Sequence, residues 1–183
     1  NPNGSAFFNQ GWPLFGVLNN HLIFHADSAA GIELWASDGT TSGTTVLKDI
    51  NPGDGDSMAY LYAQSTFFNN ELYFWAYNGA NGTELWKTDG TQQGTVMVKD
   101  INFGIANSLP GLRESVELDG KMYFSAETST QGRELWVTQG SESTTHIVSD
   151  LFVGPSDGIP SMPVLAVLGD TIFFSGRDSA ASS

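Results

Sequence analysis

A chain of 183 residues with 20 acidic against 7 basic side chains, a formal net charge of -13, lacks the clustered cations that bind nucleic-acid phosphates or an anionic membrane surface. With no Cys it can hold neither a disulfide framework nor a thiolate metal site. Its longest apolar runs are a few residues, as in Val164-Leu165-Ala166-Val167-Leu168, so no segment reads as a membrane span. The acidity is read first as solubility through self-repulsion, and second as cation binding or adaptation to a saline habitat. The 21 Gly, the many Asn, Ser and Thr and the few Lys lean toward an extracellular setting.

In chain order, the first predicted strand lies near Leu14–Leu18 and meets the turn pair Asn19-Asn20. A strand through Leu22-Ile23-Phe24 follows, then Gly31, the triplet Glu33-Leu34-Trp35, the turn Ser37-Asp38-Gly39-Thr40 and a closing strand Thr45–Ile50. The same order recurs. The second unit predicts strands at Tyr60–Phe68, Glu71–Tyr77, Glu84–Thr88 and Val96–Asp100. The third carries Met122-Tyr123-Phe124, Glu134-Leu135-Trp136 and His146–Leu151. The triplets sit 51 and 50 residues apart. A fourth unit offers strands at Val164–Leu168 and Thr171–Ser175, with Ile172-Phe173-Phe174 in register, and has no such triplet. The units are therefore 1–50, 51–101, 102–151 and an incomplete 152–183.

Aromatic and β-branched residues fill the strands, and Gly, Asn and Asp punctuate them. No window holds a helical apolar period. A unit of roughly 50 residues cannot bury its own face, so it must stack on its neighbours. The expected fold is all-β, a β-propeller or partial propeller of four-stranded blades. A β-solenoid would use shorter rungs.

The motif G-x-E-L-W-x-x-D-G-T-x-x-G-T, then an apolar strand ending in K-D-I, then N-P-G, resembles the bacterial repeat family named for its ELWxxDGT signature. The second unit matches nearly in full from Gly82 to Gly104, with Phe103 in place of Pro. The third unit departs, with Gln139 for Asp and Ser143-Thr144 near the Gly-Thr position, and the fourth lacks the signature. The resemblance covers essentially the whole chain. It implies large secreted or surface-associated bacterial proteins and no defined catalytic activity.

Trp35, Trp86 and Trp136 recur at one position of the unit, which favours core wedges over a ring of sugar platforms. Glu33, Glu84 and Glu134 recur beside them and would cap turns, pair with Lys48 and Lys99, or line a channel. Asp38 and Asp89 precede Gly in hairpins, where a turn role suffices. Function is sought in residues outside the repeat. Asp54 and Asp56 in the loop Asn51–Ser57 are the one candidate Ca²⁺ site, set against a solvated turn, and no other cofactor is expected. His21 and His25 would lie roughly 13 Å apart on one strand face, too far to share a metal ion. Trp12 and Trp75 have no counterparts in the other units and are candidate platforms for a glycan or protein partner, set against local packing.

The leading expectation is a non-catalytic extracellular or cell-surface module for assembly, adhesion, or glycan or protein binding. The alternative is a polysaccharide-acting enzyme with a non-repeated acid pair drawn from Glu114, Glu117 and Glu127. The half unit is expected to leave an open strand edge, so that further copies or segments complete the ring.

Overall fold

The computed structural model describes residues 16–57 and 65–177. Their fold is all-β, with a single 3-10 turn at Glu142–Thr144. The strands are β1 (Gly16–Leu18), β2 (His21–Ser28), β3 (Gly31–Ser37), β4 (Thr45–Lys48), β5 (Ser65–Phe68), β6 (Glu71–Tyr77), β7 (Thr83–Thr88), β8 (Val96–Lys99), β9 (Gly111–Leu118), β10 (Lys121–Thr128), β11 (Gly132–Thr138), β12 (His146–Ser149), β13 (Leu165–Leu168) and β14 (Thr171–Phe174). They form three four-stranded antiparallel meanders, β1–β4, β5–β8 and β9–β12, and one two-stranded sheet, β13–β14. No helix among the described residues is long and apolar enough to cross a membrane.

The sheets follow the sequence units. The first strands expected at Leu14–Leu18 and Tyr60–Phe68 are described only from Gly16 and Ser65, and Trp12 lies outside the described residues. Asn19 and Asn20 take φ of 50° and 64°, Asn69 and Asn70 take 51° and 60°, and Asp119 and Gly120 take 51° and 66°. Two successive left-handed residues match the twist of the flanking strands, and Asn, Asp and Gly tolerate that conformation best.

Each complete sheet carries the same irregularity. The register of β3 on β4 steps from Leu34↔Lys48 to Trp35↔Val46. That of β7 on β8 steps from Leu85↔Lys99 to Trp86↔Met97, and that of β11 on β12 from Leu135↔Ser149 to Trp136↔Ile147. One residue of the fourth strand is thus extra each time: Leu47, Val98 and Val148.

Alternation along the strands sorts the side chains into two faces. The pairs Phe24↔Trp35, Phe74↔Trp86 and Phe124↔Trp136 put an aromatic pair on one face of each sheet. The opposite face of the first sheet, with Ile23, Ile32, Leu34 and Ala36, packs on Leu72, Phe74, Ala76 and Trp86 of the second. The opposite face of the second, with Tyr73, Leu85 and Val98, packs on Met122, Phe124, Ala126 and Trp136 of the third. Both interfaces therefore join the back of one sheet to the Phe-Trp face of the next. The closest approaches between neighbouring sheets, β5 to β9, β9 to β13 and β1 to β6, all involve a first strand.

Trp86 and Trp136 are 6% and 5% exposed, whereas Trp35, on the face that packs on no other described sheet, is half-buried. Burial of the whole indole sets its worth. Trp86→Ala should lower the unfolding free energy by about 3–5 kcal/mol, measured by urea denaturation, and Trp35→Ala by clearly less. A Trp86→Ala loss below about 1 kcal/mol would contradict this packing.

Candidate functional site

The recurring acids hold backbone. Glu33, Glu84 and Glu134 are each 0% exposed. Glu33 accepts the N–H of Ile50 at 2.8 Å and of Asn51 at 3.2 Å. Glu84 accepts the N–H of Ile101 at 2.8 Å, and Glu134 that of Phe152 at 3.4 Å. Each carboxylate thus grips the linker that leaves its own fourth strand. Burial raises all three carboxyl pKa values and pushes Glu84 up to about 7; the linker N–H groups oppose that rise. No ion pair joins these acids to Lys48, whose Nζ donates instead to Gln92 O at 3.5 Å.

Beyond the glutamate contact, each linker folds back along its own third strand. Ser57 N–H donates to Ile32 O, and Ser57 O accepts the N–H of Tyr77 in the next sheet. Ser108 joins Thr83 to Glu127 in the same way, and Gly158 joins Arg133 to Arg177. Gly31, Gly82 and Gly132 hold positive φ where the linkers cross. A Cβ on Gly31 would lie 2.5 Å from Gly55 O, and one on Gly82 would collide with Ala106 O.

That crossing also fixes Asp56. Its Oδ1 accepts the Ile32 N–H at 2.9 Å, as Asn107 Oδ1 does from Thr83 at 2.8 Å and Asp157 Oδ1 from Arg133 at 2.9 Å. The position is a repeated Asx acceptor, and the uncharged Asn107 serves it equally. Asp54, its companion in the candidate Ca²⁺ loop, is exposed. Among the described residues, no three His, Asp or Glu side chains gather in a metal-holding group.

Asp38 Oδ1 accepts from both the N–H and the hydroxyl of Thr40, and Asp89 Oδ1 does so from Thr91. These bonds hold both carboxyls below the usual carboxylate range. The Thr hydroxyl in turn accepts the N–H of Gly43 or Gly94. In the third repeat Gln139 replaces the Asp, and a 3-10 turn built on Ser141 and Thr144 substitutes. A buried Thr pair is shared: Thr88–Thr95 at 2.7 Å and Thr138–Thr145 at 2.6 Å.

Trp75 is half-buried, packs against the core between the second and third sheets, and donates its indole N–H to Pro110 O. His21 Nδ1 lies 2.9 Å from Asn19 O, and burial lowers the His25 pKa. Of the acids singled out for an enzymatic pair, Glu127 is bound to Arg133 at 3.1 Å.

One concavity stands on the back of the third sheet. It is a cleft of ≈ 380 Å³ lined by Lys121, Tyr123, Val137, Gln139, Ser143, Thr144, His146, Ile147 and Val148. No sequence motif marks it, because its lining is drawn from ordinary repeat positions. The bulge residue makes the contrast: Val98 is 4% exposed, whereas Val148 is 48% exposed. Exposed apolar side chains also stand on the linkers, where Phe103, Ile105 and Val153 are 92%, 83% and 75% exposed.

No family model matches the chain, and no curated protein matches it.

The buried glutamates predict the pH dependence of stability. An unfolded Glu84 loses its proton near pH 4.5, while the folded one keeps it to about pH 7. The folded state therefore binds more protons across that window, and stability falls as pH rises through it, by roughly 3 kcal/mol. Above about pH 7 the penalty is complete. The urea midpoint should be higher at pH 5 than at pH 8, and Glu84→Gln should reduce that difference. An unchanged difference in the variant would refute this assignment.

Proposed function

We propose that the chain is a run of β-propeller blades acting as a non-catalytic binding and assembly module at the outside of a bacterial cell. The propeller reading is supported by back-to-face stacking of successive meanders that approach most closely at their first strands. The resemblance to the ELWxxDGT repeats adds the bacterial surface.

The observation that carries the non-catalytic reading is the employment of the acids. Glu33 and Glu84 hold linker amides, Asp38 and Asp89 close turns, and Asp56 accepts from Ile32. The like environments of the recurring glutamates give no split acid and base pair of the kind glycoside hydrolysis uses. Among the exposed surface groups, the apolar Phe103, Ile105 and Val153 stand out from the linkers, where residues free of core duty are available for a glycan or protein partner.

A glycan array and a pull-down from native cell envelope test the reading together. Saturable retention that falls several-fold in a Phe103→Ser, Ile105→Ser double variant is expected. Failure to bind either class, joined with release of reducing sugar from a polysaccharide panel, would replace the module with an enzyme.

A further inference from the structure

The cleft on the third sheet has an equivalent on each preceding sheet, and there it is filled. On the back of the second sheet, Tyr73 and Val98 pack with Trp136 of the next repeat. The turn after Trp136 lies over the same surface, since a Cβ on Gly140 would collide with Tyr73 Oη and meet Lys87 Nζ and Glu71 Oε2 at 3.6 and 3.7 Å. On the first sheet, Trp86 packs with Ile23 and Ala36. The turn after it reaches the β1–β2 hairpin, where Asn19 Nδ2 donates to Asp89 O at 2.9 Å. The positions equivalent to Glu71, Tyr73, Lys87 and Val98 are Lys121, Tyr123, Val137 and Val148, all of which line the cleft. On the first two sheets this surface is the seat of a Glu-Leu-Trp strand and its following turn.

The fourth sheet carries the matching edge. β13 and β14 correspond to the first two strands of the other meanders, and among the described residues β14 pairs with β13 alone. Ser175 N–H donates to Val164 O, so alternation directs the N–H and C=O of Phe174 and Ile172 toward the unpaired side. Phe174 occupies the register position of Phe74 and Phe124, which face Trp86 and Trp136 across the strand pair. Those two Phe rings are 0% exposed, whereas Phe174 is 37% exposed.

We propose that the β14 edge and the cleft form one acceptor site for an extended segment of the repeat's own Gly-x-Glu-Leu-Trp chemistry. The segment adds alongside β14 and lays its indole on Phe174. Its turn then fills the space over Tyr123 and Val137. Backbone pairing at the edge supplies affinity, and the indole supplies selection. The occupant is identified by three equivalent surfaces, two covered by such a strand and one, among the described residues, without it. The proposal rests on the blade reading above and names the chemistry of one partner.

The probe is a fluorescein-labelled peptide copying residues 82–101, titrated with the full chain and read by anisotropy. Saturable one-to-one binding is expected, weakened at least about tenfold when the Trp of the peptide is replaced by Ala. Val148→Asp on the protein tests the cleft itself. That residue is 48% exposed, so the fold should survive, as circular dichroism would verify, while peptide binding is lost. Absence of binding at about 1 mM peptide, or binding indifferent to both changes, would overturn the proposal without touching glycan or envelope capture. Tighter binding of a peptide copying residues 1–15 would assign the cleft to that segment and overturn it as well.

Discussion

The structure depends on how the linker between repeats is held. A longer meander could run on as one flat sheet; here each stops after four strands because a buried carboxylate takes the linker amides just beyond the fourth. The linker then crosses a glycine of the third strand and joins two sheets through one residue, Ser57, Ser108 or Gly158. Those hydrogen bonds satisfy backbone that would otherwise be buried without partners, a deficit worth about 1–3 kcal/mol for each group. They also fix where the next sheet begins, so that the back of the first and of the second sheet meets the Phe-Trp face of its successor.

From that constraint the composition of the signature follows. Gly31, Gly82 and Gly132 admit the linker carbonyl, the Glu binds its amides, and the Leu and Trp on alternate faces enter two different interfaces. The Asp-Gly-Thr turn then returns the chain to the fourth strand, whose bulge turns Leu47 and Val98 toward the following sheet. Burial of an ionisable Glu in this role costs stability at neutral pH, and its raised pKa records that cost. The same side chains that look most chemical are the ones that make stacking possible. In the proposed module, binding is left to the linker tips and to faces without a described neighbour.

Much of this architecture is legible in the sequence. The period of about 50 residues, the alternation of apolar residues and the Asn-Asn and Asp-Gly pairs mark units, strands and hairpins because each has a local cause. The bulges are not legible, since Leu47, Val98 and Val148 are ordinary strand residues whose displacement depends on pairing. Asp56 reads as a residue outside the repeat because its counterpart Asn107 is uncharged. The shared property is an Asx oxygen accepting a third-strand amide, and Asp56, Asn107 and Asp157 recur at offsets of 51 and 50. Trp75 lacks a sequence counterpart, yet it packs against the core with its N–H on Pro110, a contact with a residue 35 positions away. The cleft has no signature of its own, because it is built on repeat positions and set apart by Lys121 and Val137 in place of Glu71 and Lys87 and by the absence of a covering strand among the described residues.

The linker clamp is tested most directly by native-state hydrogen exchange of assigned amides. The N–H groups of Ile101, Ser108 and Glu127 bond to Glu84, Thr83 and Ser108. They should exchange as slowly as the central amides of β7, with protection of at least about a hundredfold over an unstructured chain. Exchange of the Ile101 and Ser108 amides at the rate of exposed loops, while β7 stays protected, would contradict the claim that the linkers are clamped into the stack.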